Sequence, residues 1–177
     1  MDIRAVTRPL QRVRQWANEQ QRRYAHGEDR PLGGYVVTMS TYTALVALGS
    51  VGVRASGRRL PDRFDARDLA LLAVAVHKTA RLLAKDSVTS PLRAPVTRFE
   101  GPGGPSEVDE EVRAEGVGHA VGELMTCPFC LAQWLATAGM FGLVLAPRPT
   151  RFAASTMTVV AVADALQFAY TAAQDPA

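Results

Sequence analysis

Lysine is nearly missing from this 177-residue chain, which has 2 lysines (Lys78 and Lys85) against 18 arginines. That bias fits a GC-rich coding sequence better than any arginine-specific chemistry. Cysteine is as scarce: two residues three apart, Cys127 and Cys130, exclude a disulfide framework. Three histidines (His26, His77 and His119) leave few further metal ligands. Charge is missing locally rather than globally. No charged residue occurs from Pro31 to Val53 or from Leu124 to Pro147, and Asp164 is the single charge between Phe152 and Ala173. No internal repeat is visible. A cleavable secretory signal is not expected, because the first thirty residues are charged and the apolar block behind them is too long for a signal core. An uncleaved anchor fits better.

Apolar residues make up 47% of the chain, an ordinary value for a soluble protein, but they gather in blocks from which charge is excluded. The 23 residues from Pro31 to Val53 can cross a hydrocarbon core of roughly 30 Å. Thr38, Ser40, Thr41, Thr43 and Ser50 within them favour close helix contact in a bilayer. A second segment starts at Asp65, a capping residue, with Asp68 in the first turn and Phe64 placed to staple onto Leu69. Its apolar positions recur at helical spacing to about Ala84. Composition alone leaves this helix open between a span and an interfacial helix, since its second half carries His77, Lys78 and Arg81. A third runs from Cys127 to about Ala146, with Thr126 as the expected cap because Pro128 disfavours helix at the residue before it. The turn Pro147–Arg151 is expected to stop it, and a last apolar segment follows from Phe152 to about Ala173.

Residues 7–24 read as a basic amphipathic helix, with Thr7 as cap and Pro9 in the first turn. Leu10, Val13, Ala17 and Tyr24 fall near one face. Such a helix beside a span suits anionic lipid, with a solvated basic helix as the plain alternative. The charge asymmetry is sharp: residues 1–30 hold seven arginines and four acids, while residues 99–118 hold six acids and one arginine. The stretch 85–118 reads as loop, with a flexible hinge at Gly101–Pro105 and a solvated acidic run to which no role is assigned.

The expected fold is therefore all-α, a small helical integral membrane protein of about four apolar helices plus the N-terminal basic helix. Residues 1–33 form the cytosolic or interfacial helix, 34–65 a span and short loop, and 66–173 three helices around the loop region 85–123. Lys and Arg counts beside the spans place that region in the cytosol, and the inner membrane is the expected location. The bilayer is the expected partner, with anionic lipid at the N-terminal helix and an unidentified protein or a second copy beside it. Nucleic acid is not expected, since no recognisable fold or aromatic platform accompanies the basic segment.

Three sets of residues could carry chemistry. Cys127-Pro128-Phe129-Cys130 at a helix start is the sharpest: the helix dipole would ease ionisation of Cys127 and Cys130 could resolve a mixed disulfide. Against this, no strand precedes the motif. A metal site would need ligands from a second copy, and thiols with a purely structural role are the bland reading. Asp86 and Arg93 share one short loop, where Arg93 could grip an anion bidentately, or pair with Asp86 to knot the loop onto the bundle. Asp164, alone in a span, calls for an intramembrane partner, with His77, Lys78 or Arg81 as candidates. Glu123 could act as a base beside the thiol or serve as a cap. No cofactor is expected. A non-enzymatic scaffold or partner-recruiting protein is the first functional expectation, and a membrane thiol–disulfide oxidoreductase using Cys127 and Cys130 is the alternative.

Three ordered strings, Thr79–Asp86, Pro91–Pro95 and Gly122–Cys130 followed by Trp134, resemble a family of small bacterial membrane proteins. It is catalogued as domain of unknown function 1360 and found among spore-forming Bacillus relatives and actinobacteria. The likeness covers about residues 66–171, with Val96 where the family usually has an aromatic. It implies that the segment 66–84 spans the membrane and that the first 65 residues are an added extension, and it implies no activity.

Overall fold

The computed structural model describes residues 3–28 and 30–174, with side chains from Gln11 onward. Helix α1 (Ile3–Ala25) begins before the expected cap at Thr7, which lies with Pro9 and Leu10 outside the described side chains. Its described apolar residues Val13, Trp16 and Tyr24 are exposed. Helix α2 (Leu32–Ala55) covers the first uncharged run, and helix α3 (Ala66–Lys85) starts where Asp65 Oδ1 accepts from the Arg67 amide at 2.7 Å. Helices α6 (Pro128–Leu145) and α7 (Pro147–Gln174) are separated by Ala146 alone. The expected proline stop is instead a helix start: Pro147 and Pro149 occupy the first turn of α7, where a missing N–H leaves no bond unmade.

At 1.5 Å per residue these helices rise about 36, 30, 27 and 42 Å for α2, α3, α6 and α7, lengths that suit a core of about 30 Å. Three of them, α2, α6 and α7, are long and apolar enough to cross a membrane. Most of their apolar side chains, including Val36, Leu48, Phe152 and Leu166, face outward rather than into the fold. The exception in composition is α3, which carries Arg67, Asp68, Lys78, Arg81 and Lys85 and packs along both α6 and α7. Leu72, Ala75, Ala80 and Ala84 bury its contact face. At the far end of the bundle Arg151 chelates Asp68 at 2.8 and 2.6 Å, and Arg58 donates to the Val144 carbonyl at 2.7 Å. In the middle, the Tyr42 hydroxyl meets Thr137 Oγ1 at 2.7 Å and accepts from Gln133 at 2.8 Å, tying α2 to α6.

The largest departure from the sequence expectation lies in residues 85–126. A short 3-10 turn (Ser87–Thr89) and the one-turn helix α4 (Ser90–Arg93) lead into an antiparallel hairpin of β1 (Thr97–Pro102) and β2 (Val108–Val112), followed by α5 (Val117–Thr126). Of the expected hinge, Gly101 and Pro102 end β1, and Gly103–Pro105 enter the hairpin's loop, closed by Gly103 N to Glu107 O and Glu107 N to Gly104 O, both 2.9 Å. Its tip is pinned to the chain after α3 by Ser87 N donating to Ser106 O at 3.0 Å. Proline and glycine thus turn the chain sharply here rather than loosening it. Gly116 opens α5 at a positive φ of 56°, a conformation that L side chains rarely adopt.

The module seats α5 on the first turns of α2. A Cβ built on Gly34 would lie 2.6 Å from the Gly116 carbonyl oxygen and 2.9 Å from Ala120 Cβ. Backbone cannot rotate aside as a flexible side chain can, so Gly34→Ala is expected to push α2 away from α5. A cost of about 1–3 kcal/mol follows from overpacking of this kind, read as a lowered unfolding midpoint in detergent. An unchanged midpoint would mean that α2 is not docked through Gly34.

Candidate functional site

Helix α5 ends at Thr126, and one residue of extended backbone, Cys127 (φ −102°, ψ 106°), intervenes before α6. The break is where Pro128 requires it. Thr126 is not the cap, as the sequence suggested. Its hydroxyl donates back to the Gly122 carbonyl at 3.0 Å, closing α5. The cap is Cys127 itself, whose Sγ accepts from the Cys130 amide at 3.3 Å. Both thiols are free, Cys127 half-buried and Cys130 exposed, and Phe129 between them is 89% exposed. Burial opposes ionisation of Cys127. Hydrogen bonds from the Cys130 thiol and from the Cys130 and Phe129 amides, with the charge of Lys85, outweigh it and hold Cys127 below the ordinary thiol range. No group of three His, Cys, Asp or Glu suited to a metal occurs among the described residues.

Glu123 sits one turn before Cys127, but its carboxylate is engaged. Oε1 accepts from Arg30 at 3.0 Å and lies 3.5 Å from His119 Nε2, while Oε2 accepts from the Tyr35 hydroxyl at 2.6 Å. These contacts fasten the segment leading into α2 to α5, so Glu123 is placed as a clasp rather than as a base held ready for the thiol.

The Asp86–Arg93 pair takes a form the sequence did not predict. Arg93 is wholly buried, and the carboxylate it meets is Glu110, with Nε to Oε2 at 2.6 Å and Nη2 to Oε1 at 3.2 Å. Asp86 contributes its main-chain carbonyl, at 3.0 Å from Nη2, not its carboxylate. Nη1 donates to the Leu83 carbonyl and to Thr89 Oγ1, each at 2.7 Å, and Nη2 reaches Ser90 Oγ at 3.2 Å. One guanidinium therefore joins the end of α3, the turn after it and β2. With its donors committed and no solvent access, it is not open to an outside anion. Glu110 is the functional-looking residue that sequence reading missed. The alternation of Val108, Glu110 and Val112 on the inward side of β2 is the signal that could have found it.

Asp164 meets Lys78 Nζ at 2.8 Å. Arg81, a turn nearer the module, instead grips Glu107 at 3.0, 2.5 and 2.7 Å.

The model of a family described as a protein of unknown function (DUF1360) matches residues 71–170. The chain belongs to that family. Helices α5 and α6, most of α3 and α7, the hairpin, the Arg93–Glu110 contact and both cysteines fall within the DUF1360 segment, whereas α1, α2 and the Glu123 partners Arg30 and Tyr35 precede it. No curated protein and no solved structure matches the chain.

Proposed function

We propose that this DUF1360 protein is a four-span membrane protein that holds a dithiol at the membrane boundary for thiol–disulfide exchange. The observation that carries the reading is the placement of Cys127 Sγ as the N-cap of α6, with the exposed Cys130 one turn along. In the exchange, the Cys127 thiolate attacks one sulfur of a partner's disulfide. An S–S bond forms as the partner's breaks, and the first partner thiolate leaves and takes up a proton. Cys130 then gives up its proton and attacks Cys127 Sγ, releasing the second partner thiolate. The partner gains two electrons, and Cys127–Cys130 becomes the disulfide. A dithiol reductant, or the reverse exchange, restores the starting state.

Orientation follows from Lys and Arg beside the spans. With α3 counted as a span, the module end carries eleven (seven arginines before α2, then Lys85, Arg93, Arg98 and Arg113) and the opposite end seven. That excess favours a cytosolic module. The exposed Val13, Trp16 and Tyr24 of α1 support its lying on anionic lipid at the same face.

Two measurements test the exchange. Acid-trapped labelling in intact cells should find a fraction of the pair oxidised, and Cys130→Ser should accumulate a mixed disulfide through Cys127. Alkylation of Cys127, followed by mass spectrometry across pH, should reach half its maximal rate at a lower pH than a free cysteine peptide, because a depressed pKa supplies thiolate earlier. An ordinary thiol profile together with no trapped adduct would overturn the exchange reading.

A second reading, a scaffold without exchange chemistry, is favoured by the buried Arg93 contact, which fixes the module rigidly on the bundle. It predicts that the double variant Cys127→Ser/Cys130→Ser keeps the wild-type phenotype, which exchange chemistry does not allow.

A further inference from the structure

The hairpin has two unlike faces. Arg98 and Glu111 are opposite one another in the register, and their side chains pair on the outward face, where Arg98 also bonds Glu100 at 2.7 Å. Phe99 is opposite Glu110, so by the pleat it shares the face from which Glu110 reaches Arg93. Although it is on that side of the hairpin, Phe99 is 66% exposed. Leu92, next to Arg93, is 58% exposed, and Val88, four residues earlier, is 77% exposed. Three large exposed apolar side chains thus belong to the elements that enclose the buried arginine, and no described residue covers them.

The level of these side chains is set by α3. Beyond the Glu107 grip on Arg81, Asp109 lies 3.8 Å from Lys85 Nζ, and the main chains of Glu107 and Asp86 pair as an isolated antiparallel bridge. Arg81 precedes the end of α3 by four residues, about 6 Å of rise. The hairpin therefore folds back along the last turn of α3 instead of standing away from the bundle. With α3 as a span that ends at the hydrocarbon boundary, these side chains lie at headgroup depth.

We infer that Val88, Leu92 and Phe99 form a lipid-facing edge that rests the extramembrane module in the headgroup zone of the bilayer. Exposed apolar residues on a surface segment continuous with spans gain by entering that zone, while the Arg98–Glu111 face stays in water. The inference rests on the helices crossing the bilayer and is independent of the dithiol chemistry.

The test uses the full chain in phosphatidylcholine–phosphatidylglycerol vesicles, with Cys127→Ser and Cys130→Ser as background and a single nitroxide at position 48, 88, 92, 98 or 99. Collision with oxygen, which partitions into lipid, is compared with collision with a water-soluble nickel chelate. Position 48 on the outward side of α2 reports whether the span is in the bilayer. The oxygen-to-nickel ratio at 88, 92 and 99 is expected to exceed that at 98 at least twofold and to fall below that at 48. A ratio at 99 equal to that at 98, with 48 high, would overturn the lipid edge and leave the spans standing. A low ratio at 48 would overturn the membrane reading itself. Low access to both reagents at 92 and 99, with dipolar broadening that grows with protein density, would assign the edge to a second copy instead. In the chain with its cysteines intact, brominated lipid should quench the fluorescence added by Phe99→Trp and spare that added by Arg98→Trp. Equal quenching of the two would also overturn the edge.

Discussion

Arg93→Met is expected to unfold the module from the end of α3, at a cost of about 3–5 kcal/mol, the range for removing one partner of a buried ion pair. The loss is large because Glu110, itself nearly as buried, would keep its charge with no guanidinium beside it. The Leu83 and Asp86 carbonyls and the Thr89 and Ser90 hydroxyls would lose a donor at the same time. Arg93→Lys keeps the charge but not the fork that serves Glu110 and two carbonyls together, so it should recover only part of the loss. Replacing both partners, Arg93→Met with Glu110→Leu, removes the unpaired charge and should restore more than Lys does. Protease resistance of residues 86–126 and hydrogen exchange of the β1–β2 amides read the outcome, and native protection in Arg93→Met would show that the contact does not hold the module. The pair also sets an acid limit. Burial pushes the Glu110 carboxyl up, but hydrogen bonds from Arg93 and Ser90, the Arg93 charge and a hydrogen bond from Thr97 bring it below the usual carboxylate range. Its contribution is therefore complete above the unfolded carboxylate value and is lost as the pH falls through the lower folded one.

What sequence could and could not reveal divides along the range of the interactions involved. Helix α2 was readable to within two residues, because an uncharged run is a property of composition. Asp65 announced α3 because a cap bonds an amide only two residues away. The hairpin was hidden because acidic residues are poor strand formers, and Val-Asp-Glu-Glu-Val looks like a solvated run until a buried guanidinium seventeen residues earlier is seen to need one of its carboxylates. The same long range concealed what Glu123, a candidate base or cap by sequence, actually holds, since Arg30 and Tyr35 lie 93 and 88 residues away on the segment that precedes the family match. The dithiol was readable as a motif and as a helix start. Its capping geometry was not, since α5 running up to Thr126 is what leaves Cys127 the only residue free to cap α6.

Asp164 gave the clearest advance notice, since a carboxylate in an otherwise apolar segment demands a partner, and Lys78 was among the candidates. The structure selects it over Arg81 by register. Asp68 meets Arg151 at one end, so ten residues along α3 and thirteen along α7, about 15 and 20 Å of rise, bring Lys78 and Asp164 to a common level. With α3 as the proposed fourth span of a core of about 30 Å, that level is near the middle. A single Lys78→Leu or Asp164→Leu would leave one charge there alone, at about 2.5–3.5 kcal/mol on the insertion scale for a central charge. The double replacement leaves none, so it should cost clearly less than the sum of the singles, whereas Arg81→Leu with Asp164→Leu should be additive. Unfolding midpoints in mixed micelles for the two cycles separate these outcomes. Strict additivity for Lys78 with Asp164 would mean that the ion pair is solvated, and with it that α3 does not lie across the bilayer at this depth.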